Sequence, residues 1–268
     1  MRPQRRSRSA LAGLDTAIIL IAFVITASVL AYVAVNMGLF VTQKAKAVIN
    51  NGEEQASTAL EVGGSVLYST NYPTNTKSYW IYFTVTPSAG ISSVQLAPTT
   101  TSISFTAPAE NITLSNMYNY TLLTSTSGSN LIKQVSGGEN YYYYSSPYAA
   151  LEDLSSSVND AGIFKTQTAG TCTGTANAFN FTYSGDNETA CVYKDVAFTF
   201  PVSGDPLVGS STAPAGSSIG VMLLFGPNTG DNVFQYQQIQ VEITPNIGSS
   251  LTVTEYIYQP TGTVTAIG

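Results

Sequence analysis

The chain has 268 residues, 44% hydrophobic but only 10% charged, with a formal net charge of −6 and no histidine. Its length suits one good-sized domain, or one domain plus an attached helix. The missing histidine removes the usual general base near neutral pH and the commonest metal ligand, and the acidic balance argues against nucleic acid, which needs clustered cations.

The first ten residues, MRPQRRSRSA, hold all four arginines. Without them six lysines face sixteen Asp and Glu, a net charge of −10. An apolar run follows from Ala17 to Val35, and no charge occurs between Thr16 and Gln43. As a helix this uncharged stretch is about 42 Å long, enough to cross a bilayer core of about 30 Å. Four arginines precede it and only Lys44 and Lys46 follow it closely, so the positive-inside bias puts the N-terminus inside and the domain outside.

Three fates are open to such a segment: a cleaved secretory signal, a permanent anchor, or a basic leader removed before a helix that is kept. Val29-Leu30-Ala31 is a poor site for an ordinary signal cut. The stretch Leu11-Ala12-Gly13-Leu14-Asp15-Thr16-Ala17-Ile18-Ile19-Leu20-Ile21-Ala22-Phe23 resembles the start of mature archaellins, the archaeal flagellins, of crenarchaeal type. The resemblance continues through Thr26–Phe40 and more weakly beyond. It implies a prepilin-type leader, residues 1–10, cut between Ala10 and Leu11 by a prepilin-type peptidase. Gly13 and Asp15 then stand at mature positions three and five, as in that family. One departure is Arg8-Ser9-Ala10 before the cut, where the family often has a cation followed by Gly. Asp15 has two readings: an N-cap favoured by the helix dipole, or a partner for a neighbouring subunit's α-amine.

The helix is apolar all round, so it must be covered on every side. A membrane does this before assembly and a bundle of identical helices afterwards, with Ala22, Thr26, Ala27, Ala31, Ala34 and Gly38 allowing close approach. The helix is expected to turn amphipathic after Gln43 and to stop at Gly63-Gly64, or sooner at Asn50-Asn51-Gly52. This gives an assembly helix over 11–62 and an extracellular domain over 63–268.

Beyond Gly64 the period is two. Ser78–Thr86, Gly220–Phe225, Ile239–Thr244 and Leu251–Thr254 read as strands, with Gly220–Phe225 suited to the middle of a sheet. The fold class expected is α+β: a long N-terminal hydrophobic helix followed by an antiparallel immunoglobulin-like β-sandwich. The resemblance implies the same plan. Residues 126–190 are expected as long exposed loops, Tyr141–Tyr144 as packing residues, and Glu152-Asp153 as a solvated turn. No other long helix pattern is visible.

Cys172 and Cys191, in an exported chain, are expected to form a disulfide. Four N-glycosylation sequons begin at Asn111, Asn119, Asn180 and Asn187. Gly216-Ser217-Ser218-Ile219-Gly220 matches a nucleophile-elbow pattern but has no histidine base, so it reads as a turn entering a strand. A Ca²⁺ site of oxygen ligands near Asp186 or Asp231 stays open, as does a ligand surface at Trp80 and the tyrosines. No catalytic set, cofactor or metal site is expected.

The resemblance implies a structural subunit of the archaeal flagellum (archaellum) filament, membrane-inserted before assembly and extracellular after it. Its partners are then identical subunits, the peptidase and the archaellum membrane assembly machinery. An adhesive pilin-like subunit and a membrane-anchored surface binding protein are the alternatives, since the same helix serves all three.

Overall fold

The computed structural model describes residues 7–56, 59–136, 139–158, 162–168, 170–203, 210–233 and 235–267. Two compact units divide near Glu53. The first is a single helix, α1 (Ser7–Ala56). Its interior holds neither proline nor a charge between Asp15 and Lys44, and its β-branched residues are interleaved with Ala, Leu and Met.

The helix runs through Asn50-Asn51-Gly52 to Ala56 and so ends between the two expected stops, short of Gly63-Gly64. Leu60–Val62 is instead a strand, β1, with Leu60 buried in the domain core. Pairing with Thr86 and its neighbours gives Leu60 a cover that continued helix could not supply, so tertiary burial overrides helical spacing.

The second unit is built from strands β2 (Val66–Thr70), β3 (Ser78–Pro87), β4 (Ser93–Gln95), β5 (Ser102–Ala107), β6 (Ile112–Leu114) and β7 (Tyr118–Thr121). There follow β8 (Ile132–Ser136), β9 (Glu139–Tyr143), helix α2 (Pro147–Val158), β10 (Phe164–Thr168), β11 (Asn177–Tyr183) and β12 (Asp186–Val192). The chain closes with β13 (Val196–Ser203), β14 (Thr212–Pro214), β15 (Ser218–Leu224), a short turn of helix α3 (Pro227–Gly230), β16 (Gln237–Thr244), β17 (Leu251–Ile257) and β18 (Val264–Ile267).

One large sheet runs β18-β2-β3-β15-β13-β7, with β1 also on β3; a second runs β17-β16-β5-β6. They face each other as a sandwich. Alternate residues of the large sheet (Tyr68, Ile81, Phe83, Val221, Leu223) meet Ile103, Phe105, Ile239, Val241 and Ile243 of the second in one core. The pairing is antiparallel except for β7 with β13, which is parallel. A parallel pair needs a long crossover, and residues 122–195 are that crossover.

This segment differs most from its expected form. It folds into the β8-β9 hairpin, α2 and the sheet β10-β12-β11. These cover the other face of the large sheet, making a second core from Trp80, Phe198, Phe200, Met222 and Leu224 with Leu151, Leu154, Phe164, Phe179 and Phe181. Strands β13 and β15, buried on both faces, accordingly read as near-continuous apolar runs. Asp153 is on α2 and 2% exposed, not on a solvated turn. Its carboxylate accepts from the Asn130 backbone N–H at 3.2 Å and from Nδ2 at 3.1 Å. Adjacent Glu152 is less buried, and α2 turns one of the pair inward by simple helical geometry.

Candidate functional site

An apolar side chain in water loses about 1.5–3 kcal/mol relative to burial, and α1 leaves its own uncovered on every side. Ile18 is 59% exposed, Leu20 65%, Phe23 72% and Leu30 71%. The short Ser and Thr hydroxyls on this surface are turned back into the helix. Thr26 donates to the carbonyls of Ala22 and Phe23, Ser28 to Ile25 at 2.8 Å and Thr42 to Gly38 at 2.8 Å. Such back-bonding satisfies them without water, so α1 presents an apolar surface although its sequence carries polar residues. A Cβ added at Gly13 or Gly38 would meet nothing within 4 Å. The stretch Gly13–Ile49 is long and apolar enough to cross a membrane.

The N-cap reading of Asp15 does not fit the uncut chain, because α1 already begins at Ser7 and Asp15 lies inside it, exposed. A carboxylate caps only the first turn, so this role requires prior removal of the leader. Residues 1–6 of the leader, and the side chains of Ala10 and Leu11 at the expected cut, lie outside the described residues.

The sequon asparagines occupy different settings, all exposed. Asn111 closes a 3₁₀ turn (Pro108–Glu110) with φ 55°, a left-handed conformation that Asn tolerates better than most residues. Asn119 is on the edge strand β7. Asn180 and Asn187 lie on the β11-β12 hairpin, in register with Thr189 and Thr182. Each sequon's threonine donates to the other's asparagine: Thr189 Oγ1 to Asn180 Oδ1 at 2.9 Å, Thr182 Oγ1 to Asn187 Oδ1 at 3.0 Å. Two motifs seven residues apart thus share one outer face, while Phe179 and Phe181 take the inner one. Sequence spacing alone did not reveal this reciprocity, which depends on hairpin register.

Cys172 and Cys191 are bonded, tying residues before β11 to β12. Asn177 locks the same sheet to the domain. Its Nδ2 donates to the carbonyls of Ser78 at 2.6 Å and Phe225 at 3.0 Å. Asp195 does similar work at the end of the crossover, accepting from the Gly226 N–H at 2.8 Å and the Thr229 hydroxyl at 2.9 Å. Burial pushes its carboxyl pKa up, against these two hydrogen bonds.

The other sequence candidates resolve into structure. Trp80 is 2% exposed and meets Tyr148 edge-on at 6.0 Å, so it packs. Tyr144 is buried. Ser217 donates to the Pro214 carbonyl in the turn that opens β15. Asp231 pairs with Lys77 at 2.9 Å on the surface. Among the described residues, no three His, Cys, Asp or Glu group as metal ligands would.

A family model for archaeal-type flagellin matches residues 10–255. The chain is 55% identical to flagellin FlaB2 of Saccharolobus shibatae over 294 aligned positions, covering 99% of this chain and 96% of that protein. To probable flagellin 1 of Aeropyrum pernix it is 58% identical over 62 residues, which are 23% of this chain and 30% of that one. Among solved structures, the archaeal flagellum of Methanospirillum hungatei aligns with TM-score 0.40 and 17% identity, covering 95% of this chain and 98% of that one.

Proposed function

Because the chain belongs to the archaeal-type flagellin family and is a structural subunit of a surface filament, not an enzyme, we propose that α1 drives its polymerisation. The observation that carries this is the all-round exposure of α1 together with its internally bonded hydroxyls. Between Ala17 and Val35 no face of the helix suits water. Lipid covers it at first. Leaving lipid is then tolerable only if neighbouring copies of α1 replace the acyl chains at once, through van der Waals packing at Ala27, Ala31 and Gly38. A head-to-tail contact of this kind does not close on itself, so it extends as a helical filament.

The leader keeps the precursor in the membrane with its domain outside. A prepilin-type peptidase removes it between Ala10 and Leu11, and the archaellum membrane machinery passes the subunit to the filament base. The cut makes Asp15 the fifth residue of the shortened helix, just past its first turn, where its charge lies near the positive end of the dipole and can face a neighbour's new α-amine. The domain faces outward, glycosylated at some of Asn111, Asn119, Asn180 and Asn187, and the filament serves swimming motility.

N-terminal sequencing of purified surface filaments tests the reading. The expected first residue is Leu11. A start near Tyr32 would mean that an ordinary signal peptidase removed the apolar segment, and polymerisation through α1 would be excluded. A fragment beginning at Ala59, which keeps β1, is expected to stay monomeric.

A further inference from the structure

Beside β11 lies a groove of about 340 Å³ lined by Thr70, Asn71, Tyr72, Tyr79, Tyr148 and Asn180 among others, with no β12 residue in its wall. We propose that it is the seat of the first sugars of a glycan carried by Asn180 itself. The inference rests on reading Asn180 as an occupied sequon and adds where the glycan lies.

Three observations carry it. The first is direction. Strand β11 is an edge of its sheet, with β12 on one side only. The Asn180 Oδ1 is held on that side by the Thr189 hydroxyl at 2.9 Å. An amide is planar, so Nδ2, the atom that takes the sugar, is not the atom that faces Thr189, and Asn180 itself lines the groove. The second is chemistry. Sugars present apolar C–H faces to aromatic rings and hydroxyls to amides and alcohols. The groove offers both, through the rings and hydroxyls of its tyrosines and through the exposed Thr263 in its wall. The third is rigidity. Tyr79 is braced on Phe179 at 5.4 Å, and Tyr148 is stacked on Phe181 at 5.0 Å. The rings are therefore ordered before any sugar arrives, which lowers the entropic cost of binding. The volume is at the low end of the roughly 300–1,000 Å³ typical of small-molecule clefts, so it suits the proximal sugars and not a long chain. None of Asn111, Asn119 and Asn187 lines it.

Nitration of tyrosines in intact filaments, mapped by peptide mass spectrometry, tests the proposal. Tyr72 is 44% exposed in the protein alone and Tyr258, outside the groove, is 65% exposed. The Asn180→Asp variant abolishes the sequon but keeps an oxygen for Thr189. In wild-type filaments Tyr72 is expected to react several-fold more slowly than in Asn180→Asp filaments, with Tyr258 unchanged between them. Equal rates at Tyr72 with a glycan present on Asn180 would overturn the groove and leave the sequon standing. An unmodified Asn180 in native filaments would overturn both. Should the variant fail to assemble, wild-type filaments before and after enzymatic removal of the glycan give the same comparison at Tyr72.

Discussion

Helix α1 and the β-domain solve the same solvation problem in opposite ways. The domain covers its apolar residues with its own chain, in two cores on either side of one sheet. The helix leaves more than two thirds of Phe23 and Leu30 uncovered, 72% and 71%, so its proper solvent is something outside the chain. The difference shows where the parts of a filament subunit take their stability from. The domain covers its apolar side chains with its own chain, whereas the helix needs lipid or neighbouring copies to cover its own. Perturbations of one should therefore leave the other's property intact.

The largest expected effect is the cleanest break between them. Ala27→Glu puts a charge into a surface that only lipid or other helices cover, where an unpaired carboxylate is very costly. Filaments should disappear from the cell surface by electron microscopy, while the domain's unfolding transition stays unchanged. Normal filaments in that strain would mean that α1 is not the assembly element.

Next in size, replacing Cys172 and Cys191 together by Ser should destabilise the domain by about 3 kcal/mol, read from urea unfolding. The loss should be confined to the domain, with the helix still competent to assemble. If the two transitions coincide, the bond contributes nothing.

Gly220→Ala sharpens the picture of a sheet buried on both faces. Gly220 pairs with Phe200 across β15 and β13, and an added Cβ would come within 2.5–2.9 Å of the buried ring. Phe200 is fully enclosed in the second core, so the methyl should cost about 1–3 kcal/mol through overpacking. A neutral result would show that the second core is loose.

The smallest effect is a change of slope. Glu152, Asp195 and Glu255 have pKa values raised chiefly by burial. With its folded pKa above its unfolded one, Asp195 binds protons more readily in the folded state. Its contribution is then complete below the ordinary Asp value of 3.8 and is lost as pH rises through the raised value. The domain should thus resist acid between neutrality and about pH 4. Asp195→Asn, which keeps an oxygen for Gly226, should flatten the stability–pH curve in that window. An unchanged curve would assign the slope to other groups.

Much of this organisation was legible because it is local. A basic N-terminal stretch, an uncharged apolar run and strands of period two are patterns within a few residues of one another, as in Ile239, Val241 and Ile243, which all face the first core. The expected exposed loops at 126–190 failed for the complementary reason. Their apolar residues are sparse and each strand is short, so no window shows a core. Phe164, Phe179 and Phe181 become core residues only when the crossover lays them on Trp80 and Phe198. Likewise, nothing near Leu60 in sequence announces that β1 will pair with β3.

The sequence by itself determined that the chain starts with a helix too apolar for water, continues in strands and carries two cysteines and four sequons, because composition and periodicity are properties of short segments. Tertiary structure alone decided which segments become neighbours. It paired Asn180 with Thr189 and Asn187 with Thr182, placed Asp153 inside, and set Asn177 against Ser78 and Phe225, 99 and 48 residues away. These contacts depend on hairpin register and on the crossover between two parallel strands, and long-range pairing of that kind leaves no periodic trace in the segments it joins.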